Sequence, residues 1–272
     1  MQRLRRAFLN VASFISLLGL SGCAAVSVAP DPEPMPQVRV ITSGGFAAAY
    51  NILAPQFEAA YGIRLVTAYG SSSGGAVDSI PSRLARGEPA DIIILSRPSL
   101  DRLTAAGEVV AESRIDLVRS KIGMAVRAGA PKPEIDTVSG FVAALREASS
   151  IGYSASASGT YLSTRLWPEM GLWDELAPKS TRILSERVAS VVARGDVEIG
   201  FQQISEILPI EGVEYAGPIP EALQKVTTFS TGLLHRATNR EDAKTLMTYL
   251  SSREVAETIA KTGLAPVVLE AP

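Results

Sequence analysis

Residues 69–95 read YGSSSGGAVDSIPSRLARGEPADIIIL, and the two ends of this stretch decide the fold. At its C-terminal end, Asp91-Ile92-Ile93-Ile94-Leu95 is apolar on both faces. A strand of that kind belongs in a parallel sheet covered on both sides. At its N-terminal end, a strand over Ile63–Ala68 runs into Gly70-Ser71-Ser72-Ser73-Gly74. Between them the spacing predicts a short helix over Val77–Arg86, with Gly87 as its stop. Strand, polar loop, helix and strand in that order make an α/β unit.

The same alternation continues on both sides. Val38–Ile41 reads as a first strand, stopped by Thr42-Ser43-Gly44-Gly45. Ala47–Tyr61 has helical spacing, with Tyr50, Leu53, Phe57 and Tyr61 on one face and Pro55 inside. Pro98–Ala106 reads as a helix. Further strands are expected at Ile122–Arg127, Ile151–Ser154, Ile199–Gln202 and Thr227–Leu234. Further helices are expected at Thr137–Ala148, Gly159–Met170, Val188–Arg194, Arg240–Leu250 and Ser252–Thr262. No internal repeat of fixed period interrupts the pattern.

The chain has 272 residues, 46% hydrophobic and 20% charged, enough for one large domain or two lobes. Its formal net charge is −2, although Arg3, Arg5 and Arg6 add positive charge at the very start. This balance excludes a nucleic-acid binder. Those arginines, the apolar run Ala7–Leu20 and the lipobox Leu20-Ser21-Gly22-Cys23 read as a lipoprotein leader over residues 1–22. Cys23 is the only cysteine and the expected lipidation site, so no internal disulfide or cysteine metal site is expected. The lipid would hold the protein at a membrane surface, in the periplasm, without spanning the bilayer. Residues 23–37, with four prolines and two acids after the cysteine, read as an extended tether.

Polar clusters follow the strands at their carboxyl ends, which is where open α/β sheets bind ligands. They are Thr42–Gly45, Gly70–Gly74, Ser154–Thr160 and Gln202-Gln203. Three of them also open helices, whose free N–H groups suit the oxygens of a small anion. Serine and glycine also serve as ordinary caps and turns, so each cluster taken alone has a second reading.

Other chemistries find little support. The sole histidine, His235, lies just after a strand, away from any nucleophile motif, and reads as structural. G-x-S-x-G is absent, and the glycine-rich loops lack the lysine of a P-loop. No cluster has metal-ligand spacing, and neither metal nor cofactor is expected. A base that moves a proton within a bound acid could be Glu206, Tyr153 or Tyr161. Trp167 and Trp173 read as packing.

The stretches VITSGGFAAAYNILAPQFEAAYGIRLV, YGSSSGG, RGEPADIIIL, IGYSASASGTYL and VVARGDVEIGFQQISEIL resemble, in this order, the molybdate-binding periplasmic proteins of ABC transporters. The resemblance spans Val38–Leu264. It implies a two-lobed type II periplasmic-binding-protein fold, with mixed sheets flanked by helices and a ligand cleft between lobes. Residues 38–119 plus 231–272 would form lobe 1 and 120–230 lobe 2, with crossovers near Ser120–Gly123 and Val226–Thr231. It also implies a monomer that captures a small anion for an ABC permease.

The implied ligand-binding residues are Ser43, Gly45 and Phe46 in the first loop, and Ser71, Ser72 and Ser73 in the second. Ser156, Ser158, Gly159 and Thr160 follow in the third, and Gln202 and Gln203 in the last. Gly45 stands where these proteins use a serine, and Gln203 where they use a tyrosine. The long form SSSGGAVDSIPSRLARGEPAD is similar to a branch that includes a periplasmic aconitate isomerase. That branch implies a flat polycarboxylate as ligand, for which Arg83 is the first expected fork-shaped partner. Arg86 is expected to cap its helix.

Overall fold

The computed structural model describes residues 35–73 and 75–267. The leader, Cys23 and residues 23–34 of the tether lie outside the described residues. The chain alternates β1 (Gln37–Ser43), α1 (Gly44–Tyr61), β2 (Arg64–Gly70), α2 (Ile80–Ala85), β3 (Ile92–Ser96), α3 (Arg97–Ala105) and β4 (Ile115–Ser120). It continues through β5 (Ile122–Arg127), α4 (Val138–Glu147), β6 (Ile151–Ser154), α5 (Ala157–Tyr161), α6 (Trp167–Glu169), α7 (Trp173–Leu176) and β7 (Ser180–Ile183). After these come α8 (Val188–Arg194), β8 (Ile199–Gln203), α9 (Ile204–Ile207), β9 (Val213–Pro218), β10 (Thr227–Leu233), α10 (Arg240–Leu250), α11 (Ala256–Ala260) and β11 (Ala265–Pro266).

These elements form two mixed sheets. One has six strands in the order β11-β4-β10-β3-β1-β2, the other five in the order β7-β6-β8-β5-β9. The run at β3 explains the first. Ile92, Ile93, Ile94 and Leu95 are all fully buried. Ile92 and Ile94 join Phe46, Leu53 and Leu246 on one face, while Ile93 and Leu95 join Ile80, Leu84 and Leu100 on the other. Each such side chain contributes about 1.5–3 kcal/mol relative to exposure. Asp91, just before the strand, is buried too. Its carboxylate accepts from the backbone N–H groups of Arg39, Thr238 and Asn239, so it ties β1 to the start of α10.

The chain passes from the six-stranded to the five-stranded sheet through Lys121 alone and returns over 219–226. The return precedes the expected position. Thr227 already pairs with Ser120, so a boundary at 230/231 would split a paired strand.

Two expected helices are broken. The one over Gly159–Met170 widens into a π-type turn at Leu162–Leu166 before α6. Pro168 has no N–H to continue the ladder, and the Ser163 and Thr164 hydroxyls bond back to the carbonyls of Gly159 and Thr160. The one over Ser252–Thr262 opens as a 3₁₀ turn, Arg253–Val255, before α11. Pro55 lies inside α1, which runs through it. Trp167 and Trp173 stack on each other at 6.1 Å, with Trp167 in the core of the five-stranded sheet. Among the described residues no helix is long and apolar enough to cross a membrane.

Candidate functional site

The carboxyl ends of β1, β2, β6, β7 and β8 surround a cleft of about 190 Å³ between the two sheets. That is smaller than the roughly 300–1,000 Å³ of sites for drug-sized ligands. Of the sequence-expected residues, Ser43, Gly45, Ser71, Ser72, Ser156, Ser158, Gln202 and Gln203 line it. Phe46, Ser73, Arg83, Gly159 and Thr160 do not appear in its lining.

Hydrogen bonds separate site serines from capping serines. Ser79 caps α2, accepting from the Ser82 N–H. Ser43 and Ser156 occupy the same position before α1 and α5 but make no capping bond. The Ser43 hydroxyl is buried and without a partner among the described residues, and so is Gln203 Oε1. A buried polar atom left unpaired is costly, and a ligand that pairs it recovers that cost. In the second loop the hydroxyls serve the loop itself. Ser71 donates to the Ser73 carbonyl at 2.7 Å, and Ser72 accepts from the Ser96 N–H at 3.0 Å. Ser158 pairs with Ser154 at 3.1 Å. Gln202 accepts from the Ala189 N–H.

Other expected residues act elsewhere. Arg83 is bound to Glu88 through both carboxylate oxygens, at 2.7 and 2.8 Å, and donates to the Asp78 carbonyl. Its Nε and one terminal nitrogen are thus engaged by its own helix–turn, outside the cleft lining. Arg86 donates to the Val77 carbonyl. Phe46 is fully buried in the six-stranded-sheet core. Thr160 bonds back to Ala155, and the Gly159 N–H donates to Ser154. His235 is exposed.

The charged groups in the cleft are Asp78, Glu186, Arg187 and Glu206. Arg187, in the loop between β7 and α8, is the cation that sequence reading missed. It acts electrostatically on both Glu206 and Tyr69, which line the cleft from different sheets. Glu206 is the one proposed base found in the cleft lining. Tyr153 packs edge-on against Trp167, and the Tyr161 hydroxyl donates to the Leu223 carbonyl.

Glu206 is the third residue of α9, and its carboxylate reaches back to the Gln203 N–H, as in a capping box. It keeps some contact with the cleft but is otherwise surrounded by protein. Loss of water pushes it up to about 7, against the opposing pull of Arg187, the Gln203 N–H and the Gln202 side chain. Among the described residues no group of three or more His, Cys, Asp or Glu has metal-site geometry.

Two mixed sheets, two crossings and a cleft at the strand ends define a binding-protein architecture, and sequence comparison agrees. The profile of the bacterial extracellular solute-binding proteins matches residues 38–265, and the chain belongs to that family. Aconitate isomerase of Pseudomonas sp is 42% identical over 235 residues, covering 86% of this chain and 90% of that protein. The periplasmic molybdate-binding protein of Azotobacter vinelandii superposes with a TM-score of 0.70 at 20% identity, covering 86% of this chain and 100% of that one. The sulfate-binding protein SubI of Mycobacterium tuberculosis gives 0.68 at 18% identity, with 85% and 87% covered. These two likenesses are of fold.

Proposed function

We propose that the protein binds a tricarboxylate in this cleft and interconverts cis- and trans-aconitate without a cofactor, with Glu206 carrying the proton. The observation behind this reading is a desolvated carboxylate near pH 7 in the same cleft as the Arg187 guanidinium. A general base works best when its pKa lies close to the operating pH. Arg187 supplies the bidentate grip that a substrate carboxylate takes. The 42% identical aconitate isomerase supports the same reaction.

The chemistry balances with one base. The methylene of aconitate lies next to both a carboxylate and the double bond. Glu206 takes a proton there, and the electron pair of that C–H bond moves into the allylic system. The double bond shifts by one carbon, and Glu206 returns the proton to the far carbon. The skeleton reads the same from either end, so the product is again aconitate, with new geometry at the double bond. Arg187 stabilises the charge that builds on the carboxylates. Ser43 and Gln203 complete the ring of polar contacts.

Proton NMR of purified protein with trans-aconitate tests the proposal: the cis isomer should accumulate to equilibrium. Binding of aconitate with no turnover would instead favour the second reading, capture of a polycarboxylate or oxyanion for an ABC permease. The family membership and the molybdate- and sulfate-binding neighbours favour that second reading. In either role the leader reading gives a periplasmic protein held to a membrane through lipid on Cys23, and the family resemblance gives a monomer.

A further inference from the structure

The sequence Ser43-Gly44-Gly45 opens α1 with two glycines, where alanine would favour the helix. Packing explains both. A Cβ on Gly44 would overlap Glu206 Oε1, and a Cβ on Gly45 would overlap the Phe229 ring. The Ser205 hydroxyl donates to the Gly45 carbonyl at 2.8 Å, so α9 is pinned to the start of α1 beside Glu206. The pin is local to the crossing between sheets, since the Ile204 N–H donates to the Lys121 carbonyl.

We infer that Gly44 is a positioning residue: the bare backbone at the start of α1 is the seat that fixes the Glu206 carboxylate, and any side chain there displaces it. The effect on rate rests on the isomerase reading above. The effect on Glu206 rests on geometry alone.

The surroundings of the seat are limited. Arg187 faces Glu206 from the loop after β7, and Gln202 and the Gln203 N–H face it from β8. The first turn of α1 carries no acidic side chain, so its free N–H groups meet no charge of their own. Glu206 arrives there from another element, and its Oε1 lies where a Cβ on Gly44 would stand. Asp78, Glu186 and Tyr69 line the same cleft.

The test compares wild type with Gly44→Ala, Ser205→Ala and the double variant Gly44→Ala/Glu206→Asp. Two readouts are used: aconitate turnover, and titration of Glu206 followed by the 13C shift of its side-chain carboxyl. In Gly44→Ala, kcat should fall about 100-fold with KM within a few fold, the scale of a displacement near 1 Å. The Glu206 titration should move down toward the ordinary carboxylate range as the group swings into water. Ser205→Ala introduces no overlap and should lower kcat about fivefold, the scale of one hydrogen bond. The double variant should be faster than Gly44→Ala, because the shorter side chain clears the new methyl group.

Unchanged kcat and an unchanged Glu206 titration in Gly44→Ala would overturn the inference. So would a folded Gly44→Ala whose loss of rate is not relieved by Glu206→Asp. If the wild type turns over no aconitate, the isomerase reading fails separately. The titration then decides the seat: a downward shift in Gly44→Ala supports it, and no shift refutes it.

Discussion

Replacing Glu206 with glutamine should change how stability depends on pH. The carboxylate is raised from its ordinary 4.5 to about 7, chiefly by loss of water. Below pH 4.5 the group is protonated in folded and unfolded chains alike, and its burial costs little. Between 4.5 and 7 the unfolded chain releases the proton while the folded chain keeps it. The folded state then binds more protons, so stability falls as pH rises through this window. Above 7 both states are ionised and the cost is complete. At about 1.4 kcal/mol per pH unit, the whole rise corresponds to at most roughly 3–4 kcal/mol. Contact with cleft water reduces that figure. Glu206→Gln has no ionisation and escapes the cost. Urea denaturation at pH 5 and pH 8 measures it: the wild type should lose more stability than the variant over that range, by about 1–3 kcal/mol. Parallel pH profiles would refute the reasoning, because the carboxylate would then titrate in the folded protein as it does unfolded.

Other outcomes follow from the same geometry. Arg187→Ala should weaken aconitate or citrate binding by about 2–5 kcal/mol in calorimetry. Arg83→Ala should leave that binding constant unchanged, since Arg83 lies outside the cleft lining and is held by Glu88 and the Asp78 carbonyl. Cys23→Ser should abolish palmitate incorporation and release the protein from the membrane fraction; unchanged labelling would remove the lipoprotein reading. Small-angle scattering should show a smaller radius of gyration once a tricarboxylate saturates the cleft, because hinge closure is the usual response of two-lobed binding proteins.

Much of the scaffold was legible because its signals are local. Ile122–Arg127, Ile151–Ser154, Val188–Arg194 and Arg240–Leu250 stand where periodicity put them. The strands without a prediction are β4, β7, β9 and β11, three of which lie at sheet edges. β7 reads Ser-Thr-Arg-Ile and is largely solvated, so it carries no apolar alternation to detect. β9 is only half-buried throughout most of its length. The polar loops were legible as a group because they share the carboxyl edge of the sheets.

Which groups face the ligand was less legible, since that depends on pairing across space. Arg83 lies within one short helix and Arg187 just before another. What separates them is Glu88 within reach of the first. Hydroxyl clusters beside glycines look alike in sequence, yet Ser71 and Ser72 hold their loop while the Ser43 hydroxyl has no partner among the described residues. Glu206 did have a signal, its place as the third residue of a helix. That place predicts a capping contact, but not that the helix end lies inside a cleft.

The single passage through Lys121 and the single return give the five-stranded sheet one uninterrupted coding segment, Ile122 to Pro218. Arg187, Glu206, Gln202, Gln203, Ser156 and Ser158 all fall within it, whereas Ser43 and Gly44 do not. A recombination event that exchanged this block would therefore transmit the cation and the proton carrier as one heritable unit. It would leave the seat for that carrier behind in the recipient. Chimeras between members of the family should thus inherit ligand preference readily and reaction rate only where the recipient also begins its first helix with a glycine.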